Sequence, residues 1–196
     1  NPVSVLWSRA FQSIPGRYDV VAYIENVNAS AGIEKLLYRF KVYDDKNVLI
    51  NQRDGRTFLG PNQISAIFEG SIETGERIPK RVFFEIEPDY RWKDIGPEQK
   101  EIIVSTKNRI LTGASSTPRF SVDLLNESLT TLRNLEVVVL VRGSDDTVVA
   151  SSKTVVDELP KLTSRTVTFT WLSPFTEEVS RVEVIPRINP FALVLP

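Results

Sequence analysis

The chain has 196 residues, 41% hydrophobic and 25% charged, a composition that predicts packed globular cores rather than a disordered chain. Its 24 basic and 25 acidic residues are interspersed and sum to a net charge of -1, which argues against the basic surplus that binding nucleic acid requires. The absence of cysteine and histidine excludes disulfides, thiolate and imidazole metal ligands, and a Ser-His-Asp triad.

Alternating apolar residues in the first half predict short strands that each bury one face. At the start, Val3, Val5 and Trp7 alternate, which predicts that Trp7 lies in the core. The later apolar positions are 18, 20, 22 and 24, then 36, 38, 40 and 42, then 82, 84 and 86. Turn residues separate these runs at 15–16, 26–32, 44–47, 60–62 and 74–75.

The second half shows the same alternation, and its predicted strands are also short. Its apolar positions are 120, 122 and 124, then 135, 137, 139 and 141, then 148 and 149, then 167, 169 and 171, then 182 and 184. Turn residues lie at 126–128, 143–146 and 159–162. The best helical candidate covers only residues 97–103. Short strands at regular spacing are typical of a β-sandwich.

The two halves resemble each other at an offset of about one hundred residues, which is the size of a domain. Ala22-Tyr23-Ile24-Glu25-Asn26 corresponds to Val122-Asp123-Leu124-Leu125-Asn126, and Lys80-Arg81-Val82-Phe83-Phe84 to Ser180-Arg181-Val182-Glu183-Val184. Alternation lapses over residues 87–98, where two prolines and a glycine occur. The sequence therefore predicts an all-β chain of two tandem immunoglobulin-like or fibronectin-III-like β-sandwich domains. Their predicted ranges are 1–90 and 102–196, with a linker at 91–101.

The segment Phe40-Lys41-Val42-Tyr43-Asp44, with the turn Asp45-Lys46-Asn47 that follows it, resembles the FxLYD-type immunoglobulin-like domains of bacterial exported proteins. Asn26-Val27-Asn28 is similar to the Asn-Pro-Asn turn of those domains. Val42 stands in place of leucine and Val27 in place of proline, and the second half is assigned through the internal repeat. The resemblance implies an immunoglobulin-like fold outside or anchored to a membrane, and it implies no activity or binding site.

Two pairs of neighbouring aspartates, Asp44-Asp45 and Asp145-Asp146, lie at corresponding turns of the halves. Paired carboxylates could act in acid-base catalysis or contribute ligands to calcium, which takes six to eight oxygens. Both pairs lack the spaced Asp-x-Asp-x-Asp-Gly pattern of a calcium loop, and aspartate is common in solvated turns. The turn interpretation is favoured, with calcium as the alternative and no cofactor expected.

Aromatic residues in the predicted linker are a second candidate site. Tyr90 and Trp92 have stacking surface and a polar group, flanked by Arg91 and Lys93. They are expected to pack at the joint between the domains, and the alternative is contact with a carbohydrate or peptide ligand.

The apolar C-terminal segment is a third candidate, and its assembly residues are Phe191, Leu193, Val194 and Leu195. This tail, or residues 3–6 at the other end, could add a strand to the exposed sheet edge of a neighbouring subunit. The favoured alternative is that the tail docks on its own domain.

Taken together, the sequence predicts a non-enzymatic interaction or spacer module of a bacterial surface protein, with a protein or surface polymer as partner. The alternative is a structural subunit of a filament or layer, a homo-oligomer assembled through the apolar termini. No run approaches the about 18–20 apolar residues of a membrane span, so an anchor is expected only in a segment outside this chain.

Overall fold

The computed structural model describes residues 1–100 and 102–193. The chain divides into a first unit, Asn1–Ile95, and a second unit, Gly96–Pro196. The division falls inside the segment 91–101 that was predicted as a linker. Within that segment Lys93 and Asp94 pair with Gly32 and Ala31, and Ile95 is buried, so these residues belong to the fold of the first unit.

The first unit consists of seven antiparallel strands. They are β1 (Ser4–Ile14), β2 (Arg17–Asn26), β3 (Ala31–Tyr43), β4 (Leu49–Leu59), β5 (Gln63–Glu73), β6 (Arg81–Ile86) and β7 (Lys93–Asp94). One sheet has the order β1-β2-β5, and the other has the order β4-β3-β6, with the short β7 also paired to β3. Turn residues between the strands, such as Gly16 with its positive φ of 76°, reverse the chain without steric cost.

The second unit begins with one short helix and continues with six antiparallel strands. They are α1 (Pro97–Lys100), β8 (Val104–Thr112), β9 (Arg119–Asn126), β10 (Leu132–Gly143), β11 (Val148–Leu159), β12 (Ser164–Thr170) and β13 (Val179–Arg187). The sheets have the orders β8-β9-β12 and β11-β10-β13. Apart from β7, which has no counterpart in the described part of the second unit, this repeats the connectivity of the first unit. The prediction of an all-β chain with two tandem sandwich domains is confirmed.

Each unit has its own apolar core between its two sheets. Phe40, Leu36 and Ile24 are fully buried in the first core, and Phe120, Leu124 and Val139 are buried in the second. These side chains occupy alternate positions on β2, β3, β9 and β10, as expected for strands with one face turned inward. The described part of the chain has no helix of the length and apolar character needed to cross a bilayer.

A bulge in β1 corrects one prediction. The alternation of Val3, Val5 and Trp7 predicted that Trp7 lies in the core, but the register of β1 shifts between Val5 and Trp7. Trp7 therefore stands opposite Tyr23 on the outer face, where the two rings stack at 5.2 Å with 16° between their planes. An extra residue in one strand reverses the face of every residue beyond it.

Candidate functional site

The β3–β4 turn of the first unit is organised by Asp44, as its position in the sequence predicted. Asp44 is 9% exposed, and its Oδ1 accepts hydrogen bonds from the backbone N–H groups of Lys46 at 3.0 Å and Val48 at 2.8 Å. Asn47 takes the left-handed conformation with φ of 59°, and its Oδ1 accepts a hydrogen bond from Arg81 on β6. The carboxylate thus replaces backbone partners that a tight turn cannot supply.

The corresponding β10–β11 turn has the same pattern of backbone hydrogen bonds but different residues at the matching positions. Asp146, with φ of 64°, occupies the position of Asn47, and its Oδ1 accepts a hydrogen bond from Arg181 at 2.8 Å. Gly143 occupies the position of Asp44. Asp145 Oδ1 accepts hydrogen bonds from the backbone N–H and the hydroxyl of Thr147. The two aspartate pairs therefore lie at matching turns but not at matching positions.

These contacts bear on the calcium and catalytic alternatives. The carboxylates of Asp44, Asp145 and Asp146 accept hydrogen bonds or ion pairs that hold the turns. Within residues 1–100 and 102–193, no three acidic side chains are grouped closely enough to hold a metal ion. Turn formation accounts for the positions of Asp44, Asp145 and Asp146, whereas the side chain of Asp45 is exposed.

Tyr90 and Trp92 pack on the core of the first unit. Their rings meet edge to face, with centroids 5.7 Å apart and 88° between the planes. They lie in the segment between β6 and β7, and both of these strands pair with β3. This segment therefore places the two rings beside the sheet that contains β3. Their packing surface is thus used by the first unit itself.

The apolar termini also contact their own units. Leu193 packs on the core of the second unit, the backbone N–H of Phe191 donates to Asn189 Oδ1 at 3.0 Å, and Pro190 O accepts from Gln99 at 2.9 Å. Val194 and Leu195 lie outside the described residues. Residues 4–6 at the other end form the start of β1. Assembly by strand addition through Leu193 would require the tail to leave its own core.

An open cavity of about 420 Å³ lies beside the β3–β4 turn. Its walls come from residues 44–48 of this turn and 76–80 of the β5–β6 loop. Val48 and Ile78 are its apolar lining and are 44% and 59% exposed. The Arg77 guanidinium approaches Asp44 Oδ2 at 3.9 Å across it. We refer to this cavity, together with Tyr43, Leu49 and Phe83 on the strands β3, β4 and β6 that lead to and from it, as the turn-end site.

The outer face of the turn-end site is aromatic. Tyr43 on β3 and Phe83 on β6 meet edge to face with centroids 5.7 Å apart, and Phe83 is 52% exposed. In the second unit the register places Arg142 and Glu183 at these positions, and they form an ion pair at 2.8 Å. Leu49 is 44% exposed, whereas its counterpart Val148 is buried. A solvated sheet face explains the ion pair but not the exposed Phe83 ring.

The outer face of the other sheet is likewise more apolar in the first unit than in the second. In the first unit it has Trp7, Val21, Tyr23 and Phe68, with Arg9 over the Trp7 ring at 5.8 Å from the centroid. The corresponding residues of the second unit are Lys107, Ser121, Asp123 and Thr168. Because Tyr23 and Arg9 already contact the Trp7 ring, these rings are explained by sheet packing.

Two carboxylates on these outer faces have shifted pKa values of opposite sign. Burial raises the pKa of Asp19 above its ordinary value, opposed by a hydrogen bond from the Ser71 N–H at 3.0 Å. Hydrogen bonds from Thr166 at 2.5 Å and Asn108 at 2.7 Å lower the pKa of Asp123. The sign of each pKa shift follows from its main cause, which is burial for Asp19 and hydrogen bonding for Asp123.

Sequence reasoning found Asp44 and Asp45 but not the turn-end site around them. Tyr43 and Phe83 are widely separated in the chain, and Ile78 lies in a loop with no alternation. One local signal was present: the internal repeat aligns Phe83 with Glu183, so an exposed position that is charged in one half is aromatic in the other.

Comparisons with known proteins add little to this geometry. No protein-family model matches the sequence, and no curated protein matches it. A solved structure of a β-glucuronidase from glycoside hydrolase family 2 aligns with 88% of this chain at 13% identity and a TM-score of 0.26. The chain spans 24% of the length of that enzyme chain. A similarity of this size supports no conclusion about activity.

Proposed function

We propose that this chain is a non-enzymatic interaction module of a bacterial surface protein, in which the first unit binds a partner and the second acts as a spacer. The observation that supports it is the pair Tyr43 and Phe83, which stands where the second unit has the Arg142–Glu183 ion pair. The exposed Phe83 ring, packed against the half-buried Tyr43 in only one copy, supports a surface used for contact.

The location outside the cytoplasm belongs to the same proposal. It is supported by the resemblance of residues 40–44 to FxLYD-type domains and by a chain without cysteine. In such a protein an anchor outside this chain would hold the module at the membrane. The partner would be a protein or a surface polymer of the cell envelope.

The test compares wild-type protein with a variant in which the first unit receives the residues of the second, Tyr43→Arg with Phe83→Glu. Each immobilised protein is incubated with purified envelope protein and polymer fractions, and any retained component is identified. We expect a component that the wild type retains and the variant loses. Leu172→Ser is the matched control, because Leu172 is 77% exposed in the second unit.

Equal retention by wild type and the Tyr43→Arg, Phe83→Glu variant would show that the face is not the binding surface. Retention by neither protein from any fraction would contradict the interaction function. Protease accessibility of the full-length protein on intact cells tests the location separately, and protection from external protease would contradict it.

A further inference from the structure

The cavity of the turn-end site has a charge pattern that limits its ligand. Three acidic and three basic side chains line it, which are Asp44, Asp45, Glu76, Lys46, Arg77 and Lys80. A polyanion would need a basic surplus and a divalent cation would need grouped acids. The lining has neither a basic surplus nor grouped acids, so it suits a ligand that carries both positive and negative charges or is uncharged.

The six charges are not equivalent. The Asp44 carboxylate is held by the turn and lies near Arg77. The side chains of Asp45, Lys46, Glu76 and Lys80 are all exposed, and in the described part of the chain none of them makes an ion pair within 4.0 Å. Two acidic and two basic groups at the rim are therefore free to pair with opposite charges on a ligand.

The turn-end site also has apolar surface. Val48 and Ile78 line the cavity, and Leu49 and the Tyr43–Phe83 pair lie on the adjoining strands. The volume of about 420 Å³ falls within the range of about 300–1,000 Å³ seen for ligand sites. An aliphatic side chain can be buried against Val48 and Ile78 while its neighbours reach the rim.

We infer that the turn-end site binds a peptide segment of a partner protein, which inserts one aliphatic side chain between Val48 and Ile78 and has flanking residues of both charges. Acidic residues of the peptide pair with Lys46 and Lys80, and its basic residues pair with Asp45 and Glu76. This inference depends on the proposed function and specifies its ligand class. A buried apolar anchor with a charged rim is the usual division between affinity and specificity at protein interfaces.

The experiment uses residue-resolved NMR titration of the full chain. The main probe is a short synthetic peptide with one leucine between alternating glutamates and lysines. The matched probe has serine in place of leucine, and further probes are oligolysine, oligoglutamate and dextran. We expect saturable shifts at residues 44–48 and 76–80 with the leucine peptide, and binding weaker by about tenfold or more with the serine peptide. Ile78→Ser should weaken binding of the leucine peptide similarly, whereas Leu172→Ser should leave it unchanged.

Other outcomes overturn the inference. Equal binding of the leucine and serine peptides, or a response only to oligolysine or oligoglutamate, would show a site that reads charge alone. A response only to dextran would assign the site to a polymer and leave the interaction function intact. No saturable shift at residues 44–48 and 76–80 with the leucine peptide would reject the peptide, while the retention experiment above would still test the function.

Discussion

Two buried asparagines, one in each unit, hold corresponding loops from inside the protein. Asn26 donates from its side-chain amide to the carbonyls of Ala31 at 2.8 Å and Gly60 at 2.6 Å. Asn126 donates to Thr130, Leu159 and Pro160, and its Oδ1 accepts from Ser128. Each side chain thus satisfies backbone groups of two loops that strand pairing leaves without partners.

Replacing Asn126 with alanine should destabilise the protein by about 2–4 kcal/mol, because it removes the buried hydrogen bonds that Asn126 donates to Leu159 O and accepts from the Ser128 N–H. Urea denaturation measures the change. The control is Asn51→Ala, which removes one exposed hydrogen bond to Glu73 O and should cost less than about 1 kcal/mol. Similar losses for the two variants would contradict this role of Asn126.

Asp19 and Asp123 should affect stability with opposite dependence on pH. Since the pKa of Asp19 is raised in the folded state, the folded protein holds this proton more tightly, and stability falls as pH rises from its unfolded value of 3.8 through the raised pKa. Asp19→Asn keeps an acceptor for Ser71 and removes the charge. The variant should therefore become more stable than wild type as pH rises through this window.

Since the pKa of Asp123 is lowered, its contribution is present above 3.8 and is lost as pH falls through the folded pKa. Asp123→Asn should therefore be less stable than wild type at neutral pH, with the difference vanishing in acid. Urea denaturation of both variants from roughly pH 3 to 8 tests the two signs. Parallel curves for the variants would contradict the assignment.

At the scale of the elements, pairing of β3 with β4 depends on a contact between an aromatic ring and a glycine. Tyr38 is opposite Gly55, and a Cβ built on Gly55 would lie 2.3 Å from the Tyr38 ring. The ring is buried and donates from its hydroxyl to Glu69 at 2.6 Å, so it cannot swing away freely. Glycine at this position makes room for the ring.

Gly55→Ala should destabilise the protein by about 1–3 kcal/mol through overpacking of the Tyr38 ring. Thermal unfolding followed by circular dichroism measures the effect. Gly96→Ala is the control, since its new Cβ would meet nothing closer than Gln99 Oε1 at 3.5 Å. A Gly55 variant as stable as the Gly96 variant would show that the ring moves at little cost.

The outer edges of β6 and β13 are capped in the same way in both units. Ser8 on β1 donates to Val82 O at 2.6 Å, and Arg109 on β8 donates to Val182 O at 3.4 Å. A side chain from the first strand of each unit thus donates a hydrogen bond to an edge carbonyl, which an added strand would otherwise use as an acceptor. This is one of the ways in which sandwich proteins limit edge-to-edge pairing.

At the scale of the whole molecule, each unit has a separate core and a complete pair of sheets. Fragments 1–95 and 96–196 should therefore each fold alone and unfold cooperatively, because no strand of one unit pairs with the other in the described residues. Circular dichroism and urea denaturation of the two fragments test this. A fragment that stays unfolded, or unfolds without cooperativity, would contradict independent folding.

The order of residues by itself determined the all-β class, the repeat of two sandwiches and the turns at Asp44 and Asp146. These features are local, since period-two alternation and the hydrogen bonds of aspartate and asparagine act within a few residues. Only the tertiary structure decided that Trp7 lies outside the core, because one bulge reverses the face of a strand. It alone brought Tyr43, Ile78 and Phe83 to one end of the first unit, because strand register joins residues that are distant in sequence.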